Sequence, residues 1–598
     1  MTSIKLNSTF RILPFISFAV LVFIGLAIKA STSSFTHDES LSYIRFVFTS
    51  DPLALGDTNN HLLNSILMYG SSMLFGASEF TLRLPNLMSY LVYAYFTFKV
   101  LESVKNFEVR LLGYFMLNAI PFVLDFFALA RGYGLALSLF MGHLYFLTRF
   151  INSCKPKYLF YALVMISLAS VAVMTMIYFV VFVLAHSTYT LFSKRFVLDG
   201  ATKRQIGLVI TTSLIVVLFV YSIGSALQTQ GAFFFGETSF LSSIETLARH
   251  TTYREANSAW WVLGFTMLMM CLFSAKIYIQ GKREGFHGVL EKPFGLFASL
   301  VLFCVIEMAI QHVVLKTYYP PARAIQFYIP LFLLMLIYWL DQVPQMPRRL
   351  LTTSLALLVS LNFANGANLE HSLLWRYDSD TKRHYQFIAK QNDNRITVAA
   401  HPVYRPTFNF YNLINQTNII IVQDANPQYF TDYVINVNMR GYDGYDDIAN
   451  NGYSTLSKNK QDNQEWDEVT QYELPDTLNW NYIDLSDEFL ILRKYLIPDM
   501  VTESAMVFVE FKASSPDDNL LTAHVVVTCS GDDVKPYYHG ILAHHIQKQG
   551  DFKFSQGFWL SPQELSGQMV NIYIWNLDNQ MFTVEDLRIT WYRKHPWP

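Results

Sequence analysis

The chain has 598 residues, 52% of them apolar and only 15% charged, with a mean hydropathy of +0.25. That composition excludes a string of ordinary soluble domains and puts most of the chain in lipid. The near balance of 44 Lys+Arg against 46 Asp+Glu hides a division at residue 368: 26 basic and 16 acidic residues precede it, 18 and 30 follow, so the parts carry +10 and −12. A basic membrane part with an acidic tail fits cytoplasmic Lys/Arg loops and a soluble region on the opposite side, and it excludes nucleic acid as a partner. Cys154, Cys271 and Cys304 precede the division and only Cys529 follows it, which excludes a disulfide within the tail and a cysteine-rich zinc site there.

A helix needs roughly 20 apolar residues to cross the hydrocarbon layer. Eleven stretches meet this expectation, near 10–30, 85–101, 110–129, 132–148, 157–173, 175–193, 205–226, 260–279, 294–315, 325–342 and 350–368. The first follows Lys5 and Arg11 but has a long apolar run and a poor cleavage site at Ile28-Lys29-Ala30, so it reads as an anchor rather than a signal peptide. The stretch 157–193 is uncharged and flanked by basic clusters at both ends, which predicts a re-entering pair of helices. Leu62–Gly76 is short and contains Asn64 and two serines; an interfacial helix fits it better than a span. Every second loop is basic, which places the N-terminus in the cytoplasm and loops 31–84, 227–259 and 316–324, with the tail, outside. The scarcity of external cysteine points to a bacterial inner membrane with a periplasmic tail.

From about residue 370 apolar runs shorten to strand length. Helical stretches around Lys382–Gln391 and Phe408–Ile414, interleaved with strands at Ile396, Ile419 and Tyr433, predict a small α/β domain over 369–497. The Asp/Asn-rich segment 443–470 reads as loop. Alternating strands beginning at Met506, Ala523, Val570 and Leu587 predict a β-sandwich over 498–598. The expected fold class is a polytopic α-helical membrane domain, 1–368, followed by these two extracytoplasmic regions.

The polar motifs gather in the outer loops. The first loop carries His37-Asp38-Glu39, then Asp57-Thr-Asn-Asn-His61, and ends in Arg83-Leu-Pro-Asn86 at the second span. The next outer turn holds Asp125 and Ala130-Arg131-Gly132-Tyr133, and the last outer loop has Tyr318-Tyr-Pro-Pro-Ala-Arg323. On its own an Asp-Glu pair in a loop is most often a solvated pair. A carboxylate with an ordinary pKa near 3.9 is nevertheless ionised at neutral pH and able to take a proton from a hydroxyl. Arginine's planar, permanently charged fork suits a phosphate leaving group.

Several residues carry two readings. Asp125 either pairs with Arg131 as a structural ion pair or meets substrate. Glu307 and Gln311, one turn apart, either line a cavity or hydrogen-bond a neighbouring helix. His61 either binds donor phosphate or caps the interfacial helix. Arg83 reads more readily as an interfacial anchor than as a ligand contact, and Asn60 is a cavity candidate. His544 and His545 are adjacent strand positions facing opposite sides, which excludes a two-histidine metal site.

The order of these motifs, an Asp-Glu pair, an Asn/His segment about twenty residues on, RLPN, ARGY and an arginine in a proline-rich outer loop, resembles the membrane glycosyltransferases of GT-C architecture. It is most similar to glycosyltransferase family 39, the protein O-mannosyltransferases and aminoarabinose transferases, over residues 10–345. The resemblance implies a polyprenyl-phosphate sugar as donor, a protein, lipid or glycan hydroxyl as acceptor, and transfer with inversion on the extracytoplasmic face. It assigns Asp38 as catalytic base with Glu39 as its neighbour, and Arg131, Arg323 and His61 to the donor phosphate. The sequence departs from the family at Asn59-Asn60-His61-Leu62-Leu63, where relatives have a basic residue or histidine followed by two prolines. A second acidic pair, used for metal in oligosaccharyltransferases, is also missing. No metal is therefore predicted, and a divalent ion as cofactor stays an open alternative. Two competing functions are a flippase or transporter for a lipid-linked sugar and a membrane-anchored carbohydrate-binding protein.

Overall fold

The computed structural model of the protein describes residues 8–53, 59–193, 198–229, 236–253, 259–290, 292–391, 396–417, 419–422, 431–437, 444–450, 453–460, 467–473, 489–496, 505–514, 523–530, 537–541, 546–548, 551–560, 569–576 and 582–593. Asp57, His544, His545 and the basic residues Lys5, Lys194 and Arg195 lie outside them. The chain divides into two compact units: Met1–Thr32 with Leu53–Leu373, and Ser33–Pro52 with Leu374–Pro598. Ser33–Pro52, read from the sequence as part of the membrane domain, thus belongs with the tail.

The first unit is helical. All eleven expected spans are helical in whole or in part, and among the described residues six helices are long and apolar enough to cross a membrane: Ile12–Thr32, Tyr133–Ser153, Met174–Ser193, Gly200–Ser225, Val262–Gly285 and Pro293–Val314. Leu62–Phe75, Pro156–Ala172 and Tyr328–Leu340 are shorter apolar helices. Large apolar side chains such as Leu208, Ile215, Leu302 and Val313 are exposed on these helices. In water such exposure would be costly, and in lipid it is the expected outer surface.

The stretch 157–193 forms the expected pair, Pro156–Ala172 and Ile177–Ser193, broken at Val173 by an extended backbone (φ −141°, ψ 115°). The stretch 110–129 is not one helix. Phe107–Asn118 stops, and a short helix, Pro121–Asp125, restarts after it. Pro121 has no N–H to continue the ladder and holds Ile120 in an extended conformation (φ −98°, ψ 108°). The following helix therefore starts afresh at Tyr133, and the segment between carries Arg131.

The second unit is mixed. Strands β1 (Ile396–Ala400), β2 (Ile419–Val422), β3 (Tyr433–Asn436), β4 (Tyr445–Asn450) and β5 (Thr455–Asn459) form one sheet in the order β2-β1-β3-β5-β4. β2 and β3 pair with β1 in parallel, β5 pairs antiparallel with β3 and β4, and the helix Arg405–Asn415 makes the β1-to-β2 crossover. Segment 443–470, expected as loop, contains β4, β5 and the start of the next strand. Its acidic residues mark an edge strand: Tyr445 is buried and donates its hydroxyl hydrogen to the Thr431 carbonyl (2.9 Å), while Asp446 and Asp447 face out. Charge on an edge discourages pairing with another chain.

Strands β6 (Asp467–Glu473), β7 (Phe489–Leu496), β8 (Ala505–Ser514), β9 (His524–Ser530), β10 (Tyr537–Ile541), β11 (Ile546–Lys548), β12 (Asp551–Leu560), β13 (Met569–Trp575) and β14 (Thr583–Arg593) make two antiparallel sheets, β10-β9-β13-β7 and β11-β12-β8-β14-β6. Burial alternates along β13 and β14, with Val570, Ile572, Ile574, Leu587, Ile589 and Trp591 inside. Because β6 and β7 belong to these sheets, the sandwich starts before the expected boundary at 498.

Candidate functional site

The acidic pair sits on a short helix, His37–Ser42, and its two members are used differently. Thr36 caps the helix: its hydroxyl accepts from the Glu39 N–H (3.4 Å), and the Glu39 carboxylate accepts from the Thr36 N–H (2.9 Å). This reciprocal capping box satisfies two helix-end donors and leaves Glu39 fully buried. Glu39 thus closes the cap of the turn that carries Asp38. The T-x-x-E signal was present in the sequence as Thr36-His37-Asp38-Glu39. Asp38, at the second position of the same helix, is half-buried, and its carbonyl accepts from the Ser42 hydroxyl (2.9 Å).

The acid-bearing turn is held by residues 341 to 376 positions along the chain. Phe35 stacks on Phe410 (centroids 4.1 Å), Tyr43 meets the same ring edge-on (5.2 Å), and the Tyr411 hydroxyl accepts from the Phe35 N–H (3.0 Å). His37 donates its backbone N–H to the Asp378 carboxyl (2.7 Å), and its ring Nδ1 lies 2.8 Å from the Val403 carbonyl. Asp378 is fully buried; the hydroxyls of Thr381 (3.3 Å) and Thr407 (3.2 Å) donate to its other oxygen. Burial drives this carboxyl well above the ordinary carboxylate range, and the neighbouring charge of Asp38 adds to the rise, against the three hydrogen bonds. Sequence reading missed Asp378, which has no local motif around it. It also missed Arg405, which is buried and donates to the Gln556 side-chain oxygen (3.5 Å), and burial brings its pKa down to about 10.

In the first unit, three separated motifs meet. Asn86 of RLPN donates to the Asn64 side-chain oxygen (2.5 Å), and Asn64 donates to the carbonyl of Ala130 in ARGY (2.9 Å). Arg131, buried, donates to the Asn59 carbonyl (3.4 Å). His61 precedes the helix Leu62–Phe75 without a side-chain capping bond; its Nδ1 lies 2.8 Å from the Ala172 carbonyl and its ring packs edge-on against Tyr133 (4.7 Å). Asn60 takes the local role instead, accepting from the Ser65 hydroxyl (2.6 Å). Gly132 is required here by close approach: a Cβ on it would stand 2.7 Å from the Ala172 carbonyl and 2.9 Å from the His61 Cβ. Gly132→Ala is expected to displace the His61 ring and destabilise the fold by about 1–3 kcal/mol, measured as a lower midpoint in thermal unfolding.

The remaining candidates separate. Asp125 does not pair with Arg131: it forms a buried ion pair with Lys29 (2.5 Å) and accepts from the Tyr253 hydroxyl (2.8 Å) and the Leu373 N–H (2.9 Å). Those contacts occupy both oxygens. Arg83 is fully buried and donates to the Ala30 carbonyl (3.0 Å), tying two helices together, so it is a helix tie instead of an anchor at the lipid surface. Gln311 bonds the Tyr178 hydroxyl of a neighbouring helix, whereas the buried Glu307 Oε2 has no partner among the described residues. Arg323 lies half-buried in the turn Ala322–Ala324.

Loops expected on the same side touch one another. Glu237 and Tyr319 exchange backbone hydrogen bonds (2.8 and 2.9 Å), and the Thr175 hydroxyl donates to the Ala324 carbonyl (2.6 Å). At the other end Tyr338 donates to the Val100 carbonyl (2.8 Å) and Asn106 to that of Asp341 (3.0 Å). Among the described residues no group of three or more His, Cys, Asp or Glu side chains is placed to hold a metal ion.

No family model and no curated protein matches the sequence. Among solved structures the chain is similar to ArnT from Cupriavidus metallidurans bound to undecaprenyl phosphate, at 12% identity and a TM-score of 0.45 over 75% of this chain and 98% of that one. It is also similar to the oligosaccharyltransferase AglB from Archaeoglobus fulgidus in complex with an inhibitory peptide and a dolichol-phosphate, at 10% identity and a TM-score of 0.33 over 66% and 63% of the two chains. A third is the arabinosyltransferase EmbB from Mycobacterium smegmatis, at 11% identity and a TM-score of 0.33 over 96% and 64%.

Proposed function

We propose that the protein is a membrane glycosyltransferase that moves a sugar from a polyprenyl-phosphate carrier to an acceptor hydroxyl on the extracytoplasmic face, with inversion at the anomeric carbon. The observation that carries this reading is the meeting of RLPN, ARGY and the Asn59-Asn60-His61 segment, which puts a buried arginine and a histidine together in a bundle of apolar helices. An isoprenoid tail is soluble between such helices, and its phosphate needs cationic donors where it leaves the apolar region. Arg131, with Arg323 and His61, supplies them, stabilising the charge that develops on the phosphate as the glycosidic bond breaks. Asp38 takes the proton of the attacking hydroxyl. The acceptor is a protein, lipid or glycan hydroxyl, and direct displacement by one base inverts the anomeric configuration.

Glu307 supports the competing transporter reading, since an unpartnered carboxyl within an apolar helix is a common feature of substrate pathways. The two are separated by supplying purified, full-length protein in lipid nanodiscs with radiolabelled polyprenyl-phosphate sugars. Sugar cleaved from the carrier and attached to acceptor supports transfer; movement of intact carrier across vesicles without cleavage overturns it. Arg131→Gln is expected to lower kcat/KM for the donor roughly 10- to 100-fold, the scale of a lost charge-assisted hydrogen bond.

A further inference from the structure

We propose that Asp378, in the tail and 340 residues from the base, is a positioning residue for transfer: by holding the His37 backbone N–H it fixes the helical turn that presents Asp38. The inference rests on the reading of Asp38 as the base. Its grounds are the contacts of a single carboxyl. Asp378 is fully buried, one oxygen accepts from His37 N–H, the residue beside Asp38, and the other accepts from Thr381 and Thr407. The threonines belong to the two helices of the α/β layer, Thr381–Ala389 and Arg405–Asn415, so Asp378 couples that layer to the turn.

Phe35 on Phe410, and Ser34, which donates to the Ser379 carbonyl (3.1 Å) and accepts from the Lys382 N–H (3.0 Å), clamp the preceding residues to the same surface. The Thr36–Glu39 capping box then holds the helix start. With its first turn tied at both the backbone and the cap, the Asp38 side chain has few orientations left.

No cation is among the partners of Asp378, and a bare buried carboxylate without one is costly. Burial without a cation therefore favours the neutral form of this carboxyl, and the neighbouring charge of Asp38 adds to that preference. A neutral carboxyl keeps one oxygen to accept from the His37 N–H, and its other oxygen accepts from the Thr381 and Thr407 hydroxyls. An asparagine keeps the acceptor for His37 and turns its NH2 to the threonine hydroxyls, which accept as well as donate; alanine removes both contacts.

The test compares Asp378→Asn and Asp378→Ala in the full-length protein by hydrogen exchange and by transfer. In the alanine variant, peptides covering residues 33–45 should exchange at least tenfold faster, and kcat should fall roughly 10- to 100-fold, the scale of a misplacement near 1 Å, with the donor KM unchanged. The asparagine variant should restore both values to within about threefold of the parent, the similarity expected of an isosteric neutral group. Unchanged exchange over 33–45 in the alanine variant overturns the positioning role, with or without measurable transfer. An asparagine variant as inactive as Asp38→Asn also overturns it, because Asp378 would then act through its own charge. If the alanine variant does not fold, Asp378→Ser, too short to reach His37, takes its place under the same criteria. Absence of transfer by the parent protein instead strikes the glycosyltransferase reading and leaves the exchange comparison standing.

Discussion

Asp38→Asn is expected to lower kcat for sugar transfer by roughly 10²- to 10⁴-fold, the range for removing a positioned general base, with the donor KM little changed. The amide cannot take the proton of the acceptor hydroxyl. The fold should tolerate the change, because the capping box is made by the Thr36 and Glu39 side chains and the Asp38 carbonyl keeps its bond from the Ser42 hydroxyl. Glu39→Gln is the internal contrast. Glutamine serves as well as glutamate in a capping box, so this variant should keep transfer within about threefold and the melting temperature near that of the parent. Reversed results, with Glu39→Gln inactive and Asp38→Asn active, would move the base to Glu39 despite its burial. The comparison requires both variants as monodisperse protein, with radiolabelled donor turnover read per folded molecule.

The largest stability effect is expected at Lys29 and Asp125. Both side chains are only 6% exposed and 2.5 Å apart. Removing one partner strands a buried charge, so Lys29→Met or Asp125→Leu alone should cost about 3–5 kcal/mol in unfolding free energy. Asp125→Leu also removes the acceptor of the Leu373 N–H and the shorter of two acceptors of the Tyr253 hydroxyl, which makes it the worse of the two. The double variant Lys29→Met/Asp125→Leu should recover part of the loss, since no unpaired charge remains. A thermal or denaturant series on the four proteins gives the coupling term directly. Strict additivity would sink the ion pair as a structural tie. Normal turnover per folded molecule in the double variant is also expected; its loss would return Asp125 to the substrate.

What the sequence determined by itself is local. Apolar length placed all eleven helical stretches, and the basic clusters at both ends of 157–193 demanded the break that Val173 makes. Period-two alternation marked the sandwich strands, whereas the capping box at Thr36-His37-Asp38-Glu39, though written in four consecutive residues, was missed because the Asp-Glu pair reads first as a loop pair. Composition misled where two effects share one signature: the Asp/Asn richness of 443–470 belongs to an exposed edge strand as much as to a loop. Pro121 carried the signal for the broken span, but hydropathy averaged over a window conceals a single missing N–H.

Only the tertiary structure decided which side chains meet. Asp125 finds its partner 96 residues away in Lys29, although the nearer Arg131 was the natural candidate, and His37 is held by a carboxyl 341 positions along the chain. No periodicity encodes such pairs. A buried charge takes whichever opposite group the packing of helices brings within reach, because desolvation makes any contact better than none. The assignment of Ser33–Pro52 to the tail unit has the same origin: its aromatic and hydrogen-bonding residues are satisfied by Phe410, Tyr411 and Asp378, a set that forms only once the α/β layer has folded.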